Sequence, residues 1–331
     1  MTAARATEGV SPDRTFLVYD IGGTHIRAAA YAPESGTLAS KSVVPTPSGE
    51  ADLADAVCAA GDLAMRDATP AGIALGFPGP IGPDGRALAS PTIKCNVDLA
   101  ACETALANAW GAVPIHVLND VTAAGYHYVA SGVADFAVVN VGSGIGLKVF
   151  LDGDPVVGPN GLGGELGHLV VDPAPDAPQC DCGGTGHLGA IASGRGTLGL
   201  ARRRALREPA AYAGSAMAAR CPDARHLDNG LLVAAFLQGD PWARSVVAEG
   251  ATVLGRQIAA LHLAIGLARF YIVGGFALAL GEDYRALLAS AAASSGWDMG
   301  QDWNGMLTLE QNEDAQLLGA GYAMTRPRRT R

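Results

Sequence analysis

The stretch Thr15-Phe16-Leu17-Val18-Tyr19-Asp20-Ile21-Gly22-Gly23-Thr24-His25-Ile26-Arg27-Ala28-Ala29-Ala30-Tyr31 decides the fold. The apolar run 16–19, bounded by Asp20 and a glycine pair, reads as a buried strand entering a tight turn. A second strand, 26–31, follows that turn. A dinucleotide-binding fingerprint would place a helix there, and a Walker A loop would place Lys-Ser/Thr after the glycines, so neither motif fits. Pro33-Glu34-Ser35-Gly36 turns the chain into a third strand near 38–44. A helix at about 51–68 comes next, then a strand at 71–76 that runs into Phe77-Pro78-Gly79-Pro80. A helix near 98–110 and a strand at 115–118, ending on Asn119-Asp120, complete a β-β-β-α-β-α-β series.

The pattern then restarts. A strand at 136–141 enters Gly142-Ser143-Gly144-Ile145-Gly146, a strand follows at 147–151, and Asp152-Gly153-Asp154 makes a hairpin. A turn-rich stretch fills 158–196. Long helices follow, clearest around 231–268, where apolar residues recur at helical spacing. A strand at 270–273 runs into Gly274-Gly275, and a small apolar helix occupies about 313–325. The chain is therefore expected to form two similar α/β halves. The first covers 14–120, with a C-terminal helix at about 308–325 packing back on it. The second covers 121–307 and carries a loop at 165–190.

Composition narrows the function classes. Half of the 331 residues are apolar (49 %) and 17 % are charged, which excludes a disordered chain or a coiled coil. Glycine, 44 residues, is about twice as frequent as usual and has no collagen period, so tight turns or close backbone approaches to a ligand are expected. The net charge is −9 and lysine occurs only at 41, 94 and 148; such a chain does not attract nucleic acid as a whole. The arginine groups 202–204 with 207, and 326, 328, 329 and 331, read as a solvated helix face and a frayed terminus. Residues 1–13 read as a polar, disordered lead. No run of 18 apolar residues appears and the first 15 residues lack a signal-peptide core, so a cytoplasmic protein without a membrane span is expected. Six cysteines are too few for a disulfide framework.

Three glycine turns stand at strand ends: 20–27, 142–146 and 274–275. Without Cβ atoms, their N–H groups can approach phosphate oxygens. Asp20, beside a glycine pair, could hold hydrated Mg²⁺ while Thr24 and the backbone hold phosphate. Asn119-Asp120 admits two readings: an amide and carboxylate that fix a hydroxyl and accept its proton, or an Asx cap on a helix that starts at Val121. His168, Cys180, Cys182 and His187 form the strongest local signal. Two thiolates and two imidazoles suit tetrahedral zinc in a reducing compartment, and a loop so rich in Gly, Pro and Asp has little apolar surface to order it otherwise. Glu165 would sit near that metal, where it could orient a hydroxyl.

In this order the motifs resemble the ROK family of bacterial sugar kinases and repressors, within the actin-like ATPase superfamily. The resemblance spans about 15–325. It rests on Asp20-x-Gly22-Gly23-Thr24-x-x-Arg27, Pro78-Gly79-Pro80, Asn119-Asp120, Gly142-x-Gly144-x-Gly146, Gly164-Glu165-x-Gly167-His168, Cys180-x-Cys182-Gly183-x-x-Gly186-His187 and Gly274-Gly275. It implies a two-lobed, ribonuclease H-like α/β fold, each lobe a mixed sheet with helices, and a cleft between the lobes. It further implies ATP-dependent phosphorylation of the primary hydroxyl of a hexose or hexose-like substrate, with Mg²⁺ accompanying ATP. Asp120 would be the general base. Asn119, Glu165 and His168, with Gly79 and Thr92, would hold the substrate, and His168 would also share the structural zinc with Cys180, Cys182 and His187. Asp20, Gly22, Gly23 and Thr24, with Gly142, Ser143 and Gly144, would embrace the phosphates, while Gly274 and Gly275 lie against the adenosine. A homodimer is the implied assembly.

Three positions depart from the family pattern. His187 stands where cysteine is commonest, and Thr92 where an asparagine usually touches the sugar. Gly189 stands where a glutamate usually binds hydroxyls near the anomeric carbon. A lost charge-assisted hydrogen bond weakens glucose binding by roughly 1.5–3 kcal/mol. That points to a substrate altered at that edge, an aminosugar or a cyclitol. Two other functions of such a chain are a repressor, for which the 19 residues before Asp20 leave no room for a DNA reader, and a sugar sensor without catalysis.

Overall fold

The computed structural model describes residues 15–66, 68–82, 84–90 and 93–327. The polar lead at 1–13, Thr92 and the arginines at 328, 329 and 331 lie outside the described residues. In chain order the first elements are β1 (Phe16–Ile21), β2 (His25–Ala32), β3 (Thr37–Pro45), α1 (Leu53–Met65), β4 (Gly72–Phe77), α2 (Leu99–Trp110), β5 (Ile115–Asn119) and α3 (Asp120–Ala130). Next come β6 (Phe136–Val141), β7 (Ile145–Leu151), β8 (Asp154–Pro155), α4 (Leu188–Ala192), α5 (Gly194–Arg207), α6 (Pro209–Ala213), α7 (Asn229–Leu237) and α8 (Pro241–Ile265). The last are β9 (Phe270–Val273), α9 (Gly275–Leu280), α10 (Glu282–Ala293), α11 (Trp303–Met306), β10 (Leu307–Leu309) and α12 (Ala315–Thr325).

Two compact units result. Of the described residues, one contains those up to Ala134, Val157–Leu162 and those from Asn312 on; the other contains Asp135–Val156 and Gly163–Gln311. Each holds a five-stranded mixed sheet, in the orders β3-β2-β1-β4-β5 and β8-β7-β6-β9-β10. In both, the first strand pairs antiparallel with the second and parallel with the fourth. The same topology is thus built twice.

The first sheet is covered on both faces, and its side chains set how closely each layer approaches. Leu17, Tyr19, Ile21, Ile73, Leu75 and Phe77 alternate onto the face packed by α1 and α2. The opposite face is small: Val18, Ala29 and Ala74 meet Ala123 of α3 and Leu317 and Ala320 of α12. Small residues let α3 and α12 pack tightly. A Cβ on Gly319 of α12 would stand 1.8 Å from the Ala123 carbonyl oxygen and 2.7 Å from the His127 nitrogen. This packing also draws α3 into the first unit, so the division falls after Ala134 where the sequence suggests 120. The expected return of 308–325 is shorter, because Leu307–Leu309 pairs parallel with β9 and only α12 returns.

In the second unit, Ala137, Val139, Val141, Leu147, Val149, Phe270 and Ile272 face a core built with residues of α4, α5 and α7 to α10. The apolar pattern at 231–268 is not one helix. Gly239 takes φ +80°, Asp240 caps α8 by accepting from the Ala243 N–H, and Pro241 removes an N–H at its first turn. The turn-rich stretch expected to 196 ends earlier, at α4 and α5. The arginine-rich face of α5 is partly engaged: Arg202 donates to the Leu227 carbonyl, and Arg204 to Glu208 (3.1 Å) and Ser245 (2.9 Å). Among the described residues, no helix is long and apolar enough to cross a membrane.

The α3–α12 contact makes a testable exception to a helix rule. Gly→Ala inside a helix ordinarily gains about 0.8–1 kcal/mol. In Gly319→Ala the new methyl meets backbone atoms that cannot swing away, and such overpacking costs about 1–3 kcal/mol or more. The clash outweighs propensity, so the variant should lose stability. Urea denaturation should show a lower midpoint at unchanged slope, and a raised midpoint would refute this packing.

Candidate active site and metal centre

In the first unit, strand ends bring together the turn at 78–80 and the pair Asn119-Asp120. β4 and β5 are parallel neighbours, with Phe77 opposite Asn119, so the chain leaves both strands at one edge. Asn119 then satisfies three groups. Its Oδ1 accepts from the Thr122 N–H (3.1 Å) as the N-cap of α3, and its Nδ2 donates to the Gly79 carbonyl (3.0 Å) and to Asp120 Oδ1 (2.9 Å). Asp120 Oδ1 also accepts from the Val121 N–H (2.8 Å). The two sequence readings are therefore not alternatives. The cap is present, and it is what sets the carboxylate.

The Asp20 turn lies on the same sheet. The Gly22 N–H donates to the His25 carbonyl (2.9 Å), so this amide closes the hairpin and is not open to phosphate; Gly23 and Thr24 form the tip. Thr46, just after β3, braces the turn, donating its hydroxyl to the Gly22 carbonyl (2.6 Å) and its N–H to the Thr24 carbonyl (2.9 Å). Asp20 does not stand alone as a cation site. Arg27 donates twice to Asp20 Oδ2, at 2.9 and 2.6 Å, and also reaches the Glu313 carbonyl (2.5 Å) and Gln316 (3.3 Å). The motif ends on Arg27, but its pattern alone does not reveal this clamp.

In the second unit, the turn Gly142–Gly144 is closed by the Gly142 N–H donating to Gly144 (3.0 Å), and the Gly142 carbonyl accepts from Gly194 at the start of α5 (2.9 Å). Arg195 donates from Nε to the Ser143 carbonyl (2.8 Å), and its other end pairs with Asp181. A turn and the positive end of a 14-residue helix thus adjoin, a favourable setting for an anion, while the Arg195 guanidinium beside them is matched by Asp181. Arg195 was not signalled by any motif. Gly274 caps α9 with φ +97° and Gly275 opens it; α9 follows β9, which pairs parallel with β6.

The segment 164–168 lies flat on β7. Cβ atoms on Gly164 and Gly167 would each stand 2.2 Å from a backbone oxygen of that strand, those of Leu147 and Ile145. Glu165 and His168 occupy the two ends of one 3-10 turn, closed by the His168 N–H on the Glu165 carbonyl (3.0 Å). Glu165 Oε1 accepts from Lys148 Nζ (3.0 Å), which also donates to the Gly163 carbonyl. Position 189 leans on the same turn: a Cβ there would lie 3.1 Å from the Gly167 oxygen.

His168, Cys180, Cys182 and His187 converge. Each offers one ligand atom, and these lie within 4.8 Å of one another. Cys180 Sγ is 3.8 Å from His168 Nδ1, and Cys182 Sγ is 3.3 Å from His187 Nδ1. Ligand atoms at tetrahedral zinc bond lengths stand roughly 3.3–3.8 Å apart, so the donor set and its spacing fit that ion. Burial foremost, and the neighbouring Cys182, push the Cys180 thiol above its ordinary value. That disfavours two adjacent thiolates unless a cation lies between them.

A model of the ROK family matches residues 17–299. A C(7)-cyclitol 7-kinase of Streptomyces hygroscopicus subsp. jinggangensis is 36 % identical over 326 residues, covering 92 % of both chains. An N-acetylmannosamine kinase of Shigella boydii is 31 % identical over 313 residues, covering 92 % of this chain and 97 % of the relative. Among solved structures, a ROK glucokinase from Streptomyces griseus in complex with glucose and AMPPNP aligns with a TM-score of 0.73 at 26 % identity, over 93 % of this chain and 98 % of that one. The doubled sheet topology, the motifs that it places at strand ends and these matches agree: the chain belongs to the ROK family, whose sugar kinases share its actin-like fold.

Proposed function

We propose that this chain is an ATP-dependent kinase that transfers the terminal phosphate to the primary hydroxyl of a hexose-like substrate, a cyclitol or aminosugar rather than plain glucose. The single observation that carries the reading is the Asn119 network: a carboxylate at a strand end, with one oxygen fixed by an amide and a backbone N–H. Asp120 accepts the proton of the primary hydroxyl as that oxygen attacks the terminal phosphorus. Asn119, Glu165 and His168, with Gly79 and Thr92, hold the acceptor. The Asp20 and Gly142–Gly144 turns hold the phosphates, Asp20 serving Mg²⁺ from within its pair with Arg27. Gly274 and Gly275 border the adenosine. Mg²⁺, when bound with ATP, neutralises phosphate charge, which is the main demand of phosphoryl transfer. The cyclitol preference is supported by Gly189, which lacks a carboxylate, and by the cyclitol kinase among the relatives.

Zinc is proposed as the ion of the His168–Cys180–Cys182–His187 cluster, with a structural role. The same reading implies a homodimer and a reducing, cytoplasmic setting that keeps the two thiols available.

Asp120→Asn keeps the size of the side chain but removes the base. It should lower turnover at least about 100-fold with an unchanged melting temperature, measured by ADP release across hexoses, aminohexoses and cyclitols. Undiminished turnover would remove Asp120 from its role. Failure of the wild-type chain on every acceptor would favour the sensor. For the metal, elemental analysis should find one zinc per chain, and chelation should lower the melting temperature by several degrees, because a ligand held only by the folded state stabilises it. Absence of zinc together with unchanged melting would reject the assignment.

A further inference from the structure

Lys148 is one of three lysines in the chain, and its side chain is only 3 % exposed. It lies on β7 opposite Val138, on the sheet face that carries the stacked rings of Phe136 and Phe150 (centroids 4.8 Å apart). An apolar residue would suit such a strand, as Leu147 and Val149 do on the other face. Burying an ammonium costs several kcal/mol unless it is paired, and an ion pair seldom stabilises more than well-packed apolar groups would. Stability alone therefore gives a weak reason for this lysine.

Its partners suggest a better one. The ammonium meets the Gly163 carbonyl and Glu165 Oε1, and Glu165 is the residue that carries the contact outward, at 33 % exposure. Two charge pairs stand in this region: Lys148 matches Glu165, and Arg195 matches Asp181. Gly189, against the same turn, adds no further carboxylate.

We infer that Lys148 is a positioning and specificity residue: it holds the Glu165 carboxylate by one oxygen, cancels its charge, and so makes the acceptor site select neutral ring polyols over ring amines. This rests on the reading that Glu165 binds the acceptor, and of the two acceptors proposed above it favours the cyclitol over an aminosugar with a free amine. A cationic amine brought against Glu165 would find that carboxylate already matched by Lys148 and would gain little compensation from it. A neutral hydroxyl needs only the remaining acceptor capacity of Glu165.

The test is steady-state kinetics at saturating ATP with a carbocyclic polyol and with the same ring bearing a primary amine in place of one secondary hydroxyl. Wild type should prefer the polyol in kcat/KM by at least about 10-fold. Lys148→Met, similar in length but neutral, should cut that preference about 10-fold, through the acceptor KM more than kcat and with the ATP KM unchanged; Lys148→Arg should restore it. If Lys148→Met fails to fold, Lys148→Gln carries the same comparison. A preference absent in wild type, or unchanged in the neutral variant, overturns the inference. Glu165→Gln separates the two levels. A raised acceptor KM in that variant, with no effect of Lys148→Met, leaves Glu165 in the site and removes only Lys148. An unchanged acceptor KM removes Glu165 from the acceptor site, and the inference with it.

Discussion

One amide, that of Asn119, ties the end of a strand, the start of a helix and a neighbouring turn to a single point. Without its cap, the first N–H groups of α3 would lack a partner, and without its Nδ2 neither the Gly79 carbonyl nor Asp120 Oδ1 would be held. A carboxylate on a loop would be free to rotate. Here it is the first residue of a helix, and that helix is pressed by α12 onto the alanine-lined face of the first sheet. Precision at Asp120 thus derives from the tight α3–α12 packing several residues away, which only small side chains allow.

Two other carboxylates of the chain are steadied by a cation where Asp120 is steadied by an amide. Arg27 clamps Asp20 and Lys148 clamps Glu165. The settings differ. Arg27 is about a quarter exposed and spreads its donors over three acceptors, Asp20 Oδ2, the Glu313 carbonyl and Gln316 of α12, so it ties a hairpin to a terminal helix. Lys148 is nearly fully buried and has no comparable structural span, which is why its charge is better explained by what Glu165 must do. In both pairs the carboxylate keeps its place while a cation of the chain offsets part of its charge.

The glycine hairpin and the convergence of two histidines and two cysteines are legible in the sequence because both act locally. Gly22-Gly23 between two apolar runs can only be a hairpin, and a cysteine pair two apart, flanked by histidines, brings its donors together with little help from the rest of the chain. Other features were hidden for physical reasons. Apolar periodicity at 231–268 gives no warning that Gly239 takes a left-handed conformation and that Asp240 starts a new helix. Arg195 looks like any helix arginine until α5 places it beside Ser143. Thr46 braces the Asp20 turn only because β3 folds back along β2.

The order of strands, glycine turns and candidate metal ligands was set by the sequence itself, since period-two patterning, glycine at strand ends and the spacing of His and Cys each act over a few residues. The tertiary structure alone decided the pairings between distant residues. Arg27 finds the Glu313 carbonyl 286 positions away, and Lys148 meets Glu165 across 17 positions because the Gly164–His168 turn lies flat on β7. Such contacts depend on sheet register and on how closely two backbones approach. No local pattern encodes either, so a lysine that reads as one more strand residue becomes, once folded, the counter-charge of the carboxylate proposed to bind the acceptor.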